Sequence, residues 1–160
     1  MDLLIRSMTE GYAKAILDWK YEKPYDFYNI EPEEGQLQEL LDGTYFAVVN
    51  SVDELCGFFC VGNAARIPAG HQASVYEANC VDVGFGMKPE LTGLGNGSYF
   101  CMLILEFVER ANPCLPLRLS VAHFNKRAIK LYKKLGFEME KFFSTENGLF
   151  VTMIKPNTNG

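Results

Sequence analysis

The sequence predicts a mixed α/β (α+β) domain, because segments with helical and with strand periodicity alternate along the chain. Two segments repeat apolar residues at steps of three and four, as amphipathic helices do. Several shorter runs are rich in β-branched and aromatic residues and are separated by Gly, Pro and Asn. The chain has 160 residues, which suits one domain. We expect that domain over residues 1–156, with a flexible tail at 157–160.

The composition argues against two classes of protein, disordered chains and nucleic-acid-binding proteins. Hydrophobic residues make up 48% and charged residues 22% of the chain, and the net charge is −5. These values indicate a globular protein and exclude a disordered one. An acidic chain binds the phosphate backbone of nucleic acids poorly, so we expect no nucleic-acid partner.

Cysteine usage and the absence of long apolar runs indicate a cytoplasmic protein. Five cysteines without a Cys-x-x-Cys pair argue against a zinc ribbon and a disulfide framework. Four of them lie in apolar runs and are expected to be buried, reduced thiols: Cys56, Cys60, Cys80 and Cys101. His71 and His123 stand apart, so no metal site is expected. The first ten residues do not resemble a signal peptide, and no apolar run approaches the roughly 20 residues that cross a bilayer.

Local signals place the elements of the first half. Thr9 can cap a helix that runs to about Trp19. Pro32 suits the start of a second helix, which runs to about Leu41 before Gly43. The strands expected in this half cover residues 3–8, 45–50, 56–62 and 75–87, with a hairpin connection at 51–55 and loops at 20–31 and 63–74.

Helical periodicity is clearest in the second half. Gly136 ends the second of two helices there, and Asn147-Gly148 predicts a hairpin turn. The elements expected here are a helix ending near residue 111, a strand over 117–121, a helix over 125–135, and strands over 137–144 and 149–155.

A glycine-rich turn connects the strand that ends at Met87 to the helix that follows. Gly93, Gly95 and Gly97 can expose backbone N–H groups, and the helix start adds further N–H groups and a partial positive charge. Together they form a cradle for an anion, most naturally phosphate. Ser98 stands where a Rossmann fingerprint needs glycine, and the Walker pattern is absent. Tight packing of strand against helix is the alternative interpretation.

Two motifs carry a resemblance to a known family. Residues 92–97, Thr-Gly-Leu-Gly-Asn-Gly, are preceded at 85–89 by Phe-Gly-Met-Lys-Pro, and Asn125 opens a helix that leads to Tyr132 and then to Gly-Phe at 136–137. These motifs resemble the Arg/Gln-x-x-Gly-x-Gly/Ala and Asn…Tyr-x-x-x-Gly-Phe patterns of the GNAT superfamily of acyl-CoA-dependent N-acyltransferases. The element order agrees over about residues 3–155.

The resemblance implies a central, mostly antiparallel sheet of six to seven strands, splayed between strands 4 and 5 and flanked by about four helices. It implies acetyl-CoA as the acyl donor, with the pantetheine arm on the exposed edge of strand 4. Thr92 replaces the family's usual Arg or Gln, so the pyrophosphate would lose one long donor. The implied cofactor-binding residues are Phe85, Gly86, Met87, Thr92, Gly93, Leu94, Gly95, Asn96, Gly97, Ser98 and Asn125. Capping of its own helix is the alternative role for Asn125.

The resemblance also implies direct attack of a neutral amine on the thioester. Tyr132 would be the general acid for the leaving thiolate, or a core tyrosine in the alternative interpretation. The backbone N–H of Met87 would bind the oxyanion. The base is not identified. Val81 stands where some family members have glutamate, Asp82 is expected on the other face of the strand, and Glu77 lies further back; a water chain is the alternative.

The resemblance implies that the first two helices line the acceptor side, and the charge of this segment bears on the kind of acceptor. Residues 21–42 contain seven acids and one base, and residues 117–134 contain six bases and no acid. The basic segment would favour the phosphates of coenzyme A. Tyr25, Tyr28 and Glu31 would suit a cationic amine, although a solvated helix face with core aromatics explains the same pattern. We therefore expect an N-acetyltransferase whose acceptor is either a small amine or a protein or peptide amine. A non-catalytic acyl-CoA-binding or sensing domain is the alternative. A homodimer is a common form in the superfamily, but no residue of this sequence demonstrates one.

Overall fold

The computed structural model describes residues 2–30 and 35–157. Helices and strands alternate along this part of the chain. The five α-helices are α1 (Glu10–Leu17), α2 (Gln36–Leu40), α3 (Pro68–Gln72), α4 (Gly97–Ala111) and α5 (Lys126–Lys134). The seven strands are β1 (Leu3–Ser7), β2 (Tyr45–Asn50), β3 (Leu55–Val61), β4 (Val81–Met87), β5 (Leu117–Ala122), β6 (Glu138–Thr145) and β7 (Gly148–Lys155).

The strands are hydrogen-bonded in the order β1-β2-β3-β4-β5-β7-β6. β4 and β5 are parallel, and the pairs β1–β2, β2–β3, β5–β7 and β6–β7 are antiparallel. The ladder between β4 and β5 contains only the pairs Val81–Leu117 and Asp82–Arg118, although both strands continue. The predicted fold class, a mostly antiparallel sheet splayed between strands 4 and 5, is confirmed.

The chain divides into two compact units, and β4 contributes to both. The first unit comprises Met1–Cys60 and Phe85–Gly97, and the second comprises Val61–Gly84 and Ser98–Gly160. The expectation of one domain over residues 1–156 stays a prediction, and the last three residues of the expected tail lie outside the described chain.

In the first unit, α1 and α2 pack into an apolar cluster. The Thr9 hydroxyl accepts a hydrogen bond from the Tyr12 N–H at 3.2 Å, so Thr9 caps α1 as predicted. α1 ends at Leu17, two residues before the expected end. The described part of the second helix begins at Gln36, and its expected start at Pro32 lies outside the described residues. The fully buried members of the cluster are Ala13, Ile16 and Leu40.

In the second unit, the strand predicted over residues 75–87 is too long. β4 begins at Val81, and the predicted loop at 63–74 contains α3, so the described chain has five helices where about four were expected. Val75 and Tyr76 are buried because they pack on Gly70, where an added Cβ would lie 2.5 Å from the Tyr76 ring. Burial in a turn, rather than strand pairing, explains their apolar character.

The second unit also contains the predicted C-terminal hairpin. β6 and β7 pair antiparallel, and Thr145 faces Gly148 across a two-residue turn. Gly148 adopts the left-handed backbone conformation, with φ 109°. The glycine of the Asn147-Gly148 signal therefore opens β7 instead of occupying the centre of the turn.

A buried cluster of charges holds the start of β4 to the start of β5. Arg118 donates two hydrogen bonds to the Asp82 carboxylate, at 2.7 and 2.8 Å, and Arg66 donates a third at 2.8 Å. Asp82 is 1% and Arg118 0% exposed. Both guanidinium groups lie over the ring of Tyr76, at 5.0 and 5.6 Å from its centroid. The hydrogen bonds with Asp82 raise the pKa of Arg118, so the guanidinium stays charged.

Replacing Asp82 with Asn should destabilise the fold, because it leaves the Arg118 guanidinium buried without a counter-charge. We expect the free energy of unfolding to fall by about 3–5 kcal/mol, measured by urea denaturation followed by circular dichroism. Glu10→Gln is the control, since it breaks an exposed ion pair with Lys14 and should leave stability nearly unchanged. Equal losses in both variants would contradict the structural role of Asp82.

Candidate active site

The last residues of β4 form the edge at which the thioester is expected. Gly86 is buried there, and an added Cβ would lie 2.1 Å from the ring of Phe58. Phe58 packs between Trp19 and Tyr45, with ring centroids at 5.9 and 6.1 Å. The backbone at Gly86 therefore lies close against Phe58, and a side chain there would displace the Phe58 ring.

The backbone N–H and C=O of Met87 point away from β3. The N–H of the next residue, Lys88, donates to the Cys56 carbonyl of β3 at 2.9 Å. Because backbone groups alternate in direction along a strand, the N–H and C=O of Met87 face the opposite side. On that side, the Tyr21 hydroxyl donates a hydrogen bond to the Met87 carbonyl at 2.7 Å. The Met87 N–H must face this side, away from β3, if it is to bind the oxyanion as expected.

Tyr21, which the sequence analysis did not select, lies beside this end of β4. Its backbone N–H donates to the Asn29 Oδ1 at 2.6 Å, and its ring meets Tyr28 edge-on at 6.5 Å. Burial raises the pKa of the Tyr21 phenol to about 12, and the charge of Glu90 acts in the same direction. The phenol therefore stays protonated at neutral pH. The only sequence signal for it was its place in the loop rich in aromatic residues.

The predicted acceptor residues lie in the same loop. Tyr25 and Tyr28 form the ends of a 3₁₀ turn, Tyr25–Tyr28, and the side chain of Tyr28 is 39% exposed. Phe27 packs against Tyr28 with a centroid distance of 4.0 Å. Glu31 lies outside the described residues. The structure thus brings Tyr28 beside Tyr21, and Tyr21 beside Met87.

The glycine-rich turn has the backbone that the cradle needs. Gly93 and Gly95 adopt positive φ values of 73° and 82°, and α4 begins at Gly97. Consecutive turn residues of this kind direct N–H groups outward, where an anion can bind them. The Thr92 hydroxyl donates to the Pro89 carbonyl at 2.7 Å. Thr92 therefore stabilises the preceding turn in this structure. The other predicted members of the turn are exposed or half-buried: Leu94, Asn96 and Ser98.

The second motif forms α5 in the second unit. Asn125 caps this helix, since its Oδ1 accepts from the Ala128 N–H at 3.3 Å. Capping uses the oxygen of the side chain, so its amide nitrogen is the group that could meet a cofactor. Tyr132 is half-buried on the same helix and meets Phe137 edge-on at 6.2 Å.

The predicted basic segment contributes five exposed cations instead of six. Arg118 is buried in the ion pair with Asp82. The exposed members all belong to α5: Lys126, Arg127, Lys130, Lys133 and Lys134.

The carboxylates considered as bases differ in their surroundings. Asp82 is engaged by two arginines, which leaves it a structural role, and Glu77 is exposed in the turn before β4. Among the described residues, no group of His, Cys, Asp and Glu side chains is arranged to hold a metal ion.

The cysteine prediction is confirmed. None of the five cysteines forms a disulfide, and all except Cys114 are buried. Burial raises the pKa of the Cys101 thiol to about 12, which keeps it unreactive. Over the described ranges, no helix has the length and apolar character that a membrane span requires.

Comparisons with known proteins agree with the two motifs. The model of the acetyltransferase (GNAT) family matches residues 13–137. No curated protein sequence matches the chain significantly.

Solved structures share the fold at low identity. A chimera of a Vibrio cholerae spermidine N-acetyltransferase and hSSAT aligns with a TM-score of 0.72 and 19% identity, over 99% of this chain and 97% of that chain. The aminoglycoside acetyltransferase AAC(6')-Ib in complex with coenzyme A and kanamycin aligns with a TM-score of 0.75 and 18% identity, over 99% and 96%. A GNAT-family acetyltransferase from Bacillus anthracis aligns with a TM-score of 0.69 and 14% identity, over 96% and 94%.

Gly95→Ala should weaken acetyl-CoA binding, because a Cβ would project from the turn where a phosphate must approach the backbone. Gly148→Ala is a matched control: it also has a positive φ, and neither site has another atom within 4 Å of the added Cβ. Each variant should lose about 1–2 kcal/mol of stability from the left-handed backbone. Only Gly95→Ala should reduce acetyl-CoA affinity, by about tenfold, in calorimetric titration. Equal affinities in the two variants would remove the turn from the cofactor site.

Proposed function

Since the chain belongs to the acetyltransferase (GNAT) family, we propose that it transfers the acetyl group of acetyl-CoA directly to a primary amine of a cationic acceptor. The acyltransferase class and the use of acetyl-CoA follow from the family. One observation carries the finer proposal. A strand edge at Met87, a turn with left-handed Gly93 and Gly95, and a helix start at Gly97 follow one another within eleven residues. This order matches the parts of an acyl-CoA. The strand edge would bind the thioester and the pantetheine arm, and the turn and the helix start would bind the pyrophosphate.

The turn supplies the proposed pyrophosphate contacts. Backbone N–H groups of residues 93–98 and the positive end of α4 would bind the phosphates. The Thr92 hydroxyl already donates to Pro89, so its backbone is the part available to the cofactor. Phe85, Gly86 and Met87 would pair with the pantetheine arm, and the Asn125 amide nitrogen would donate to it. The exposed cations of α5 would attract the remaining phosphate.

The proposed chemistry needs no acyl-enzyme. The lone pair of the neutral amine attacks the thioester carbon while the Met87 N–H stabilises the oxyanion. The C–S bond then breaks and an amide forms. The nitrogen releases its extra proton to water, and the thiolate takes a proton from Tyr132.

The acceptor is proposed to be cationic because its expected binding loop is acidic and aromatic. Seven acids lie between residues 21 and 42, and the rings of Tyr28 and Phe27 pack together beside Tyr21. Tyr25, Tyr28 and Glu31 are the proposed contacts. The fold neighbours named for spermidine and aminoglycoside acetylation act on polycationic amines, which supports this class.

A cytoplasmic location is proposed from the cysteines. Four buried cysteines without disulfide bonds suit the reducing cytoplasm. A homodimer is proposed from the family alone, and sedimentation analysis would test it.

Calorimetry followed by an amine panel tests the function. We expect acetyl-CoA to bind, NADPH not to bind, and thiol release to require an added amine. Spermidine and kanamycin should react faster than a neutral peptide with a single α-amine. Binding without turnover of any amine would favour the acyl-CoA-sensing alternative, and absence of binding would contradict both functions.

Tyr132→Phe should separate catalysis from binding. Removing the hydroxyl eliminates the proposed proton donor, so kcat should fall by about a hundredfold, while acetyl-CoA affinity stays close to that of the wild type. Tyr12→Phe, which removes a hydroxyl bonded to Asp53, is the control and should keep full turnover. A Tyr132→Phe enzyme with wild-type kcat would exclude the general-acid role.

A further inference from the structure

We propose that Tyr21 positions the attacking amine: its hydroxyl oxygen accepts an N–H of the acceptor nitrogen while its own proton is donated to the Met87 carbonyl. This inference rests on the proposed function and adds a residue to its acceptor site. Tyr21 matches neither family motif in this sequence, and only the fold brings it to the end of β4.

The direction of the Met87 peptide groups is the first step. The Lys88 N–H bonds to Cys56 on β3, so the N–H and C=O of Met87 both face the other side of the strand. The Tyr21 hydroxyl reaches that carbonyl at 2.7 Å. In the proposed mechanism, the Met87 N–H binds the thioester oxygen. Tyr21 is therefore hydrogen-bonded to Met87, the residue whose N–H would orient the thioester.

The second step is that the single proton of the Tyr21 hydroxyl decides how its oxygen can bind a substrate. A tyrosine hydroxyl has one proton and oxygen lone pairs that accept. The Met87 carbonyl takes the proton, so the Tyr21 oxygen can meet a substrate only as an acceptor. Donating a hydrogen bond polarises the hydroxyl and strengthens it as an acceptor. A neutral primary amine offers the complement, because its N–H can bind the phenol while its lone pair attacks carbon.

The fixed position of Tyr21 is the third step. The Asn29 side chain holds its backbone at 2.6 Å and Tyr28 meets its ring edge-on. Because both the backbone and the ring of Tyr21 are held, its hydroxyl has a fixed position. An amine nitrogen bound to this hydroxyl would approach the thioester carbon in one direction, which raises the rate of attack. The phenol pKa of about 12 means that Tyr21 binds the amine without removing its proton at neutral pH. Its role is orientation.

Tyr21→Phe tests the inference, with Tyr12→Phe as the matched control, since each removes one hydroxyl hydrogen bond within the first unit. With spermidine as acceptor, we expect kcat/KM to fall by about tenfold for Tyr21→Phe and to stay at the wild-type value for Tyr12→Phe. The calorimetric Kd for acetyl-CoA should change by less than about threefold. The pH profile of kcat/KM should keep its shape, because Tyr21 does not titrate in the working range.

A second variant keeps the test independent of the phenol itself. Asn29→Ala retains the hydroxyl but removes the anchor of the Tyr21 backbone, so kcat/KM for spermidine should fall in the same direction and by less. Wild-type kcat/KM in Tyr21→Phe would overturn the inference, and a shifted pH profile would overturn it by making Tyr21 a base. If the wild-type enzyme acetylates neither spermidine nor kanamycin, the proposed acceptor class fails, and the inference fails with it.

Discussion

The buried carboxylate of Asp82, bonded to Arg118 and Arg66, is the interaction on which the geometry of β4 depends. It joins β4 to β5 at the second of only two paired positions. Parallel strands that pair so briefly gain few ladder hydrogen bonds, so the charged side chains supply much of the connection. Beyond Asp82 the ladder with β5 stops, and the residues that follow are those proposed to bind the cofactor.

The end of β4 is arranged by packing from its own unit. Phe58 occupies the space that a side chain at position 86 would need, and this close approach requires glycine. The bond from Lys88 to Cys56 then sets which way the Met87 peptide groups face. Tyr21 uses the carbonyl on that side. A short stretch of backbone thus receives its orientation from β3 and from the aromatic loop together.

Most of the fold was predictable because its elements have strong local signals. The period of α4, the cap at Thr9 and the left-handed glycine after α5 each act over a few residues. The start of β4 was not predictable. Val75 and Tyr76 have strand-like character, but they are buried by Gly70 and two arginines. Periodicity records burial, and it does not distinguish a buried turn from a paired strand.

The sequence by itself determined the family, the cofactor class and the glycine turn, because these depend on residue types at fixed spacing within one segment. Tertiary structure alone decided that Asp82 binds Arg118 and Arg66, and that the Thr92 hydroxyl bonds to Pro89. It also decided that Tyr21 reaches Met87, 66 residues further along the chain. Partners this distant meet only when strands and loops pack. The direction of a hydrogen bond depends on that packing, and a linear pattern of residues does not contain it.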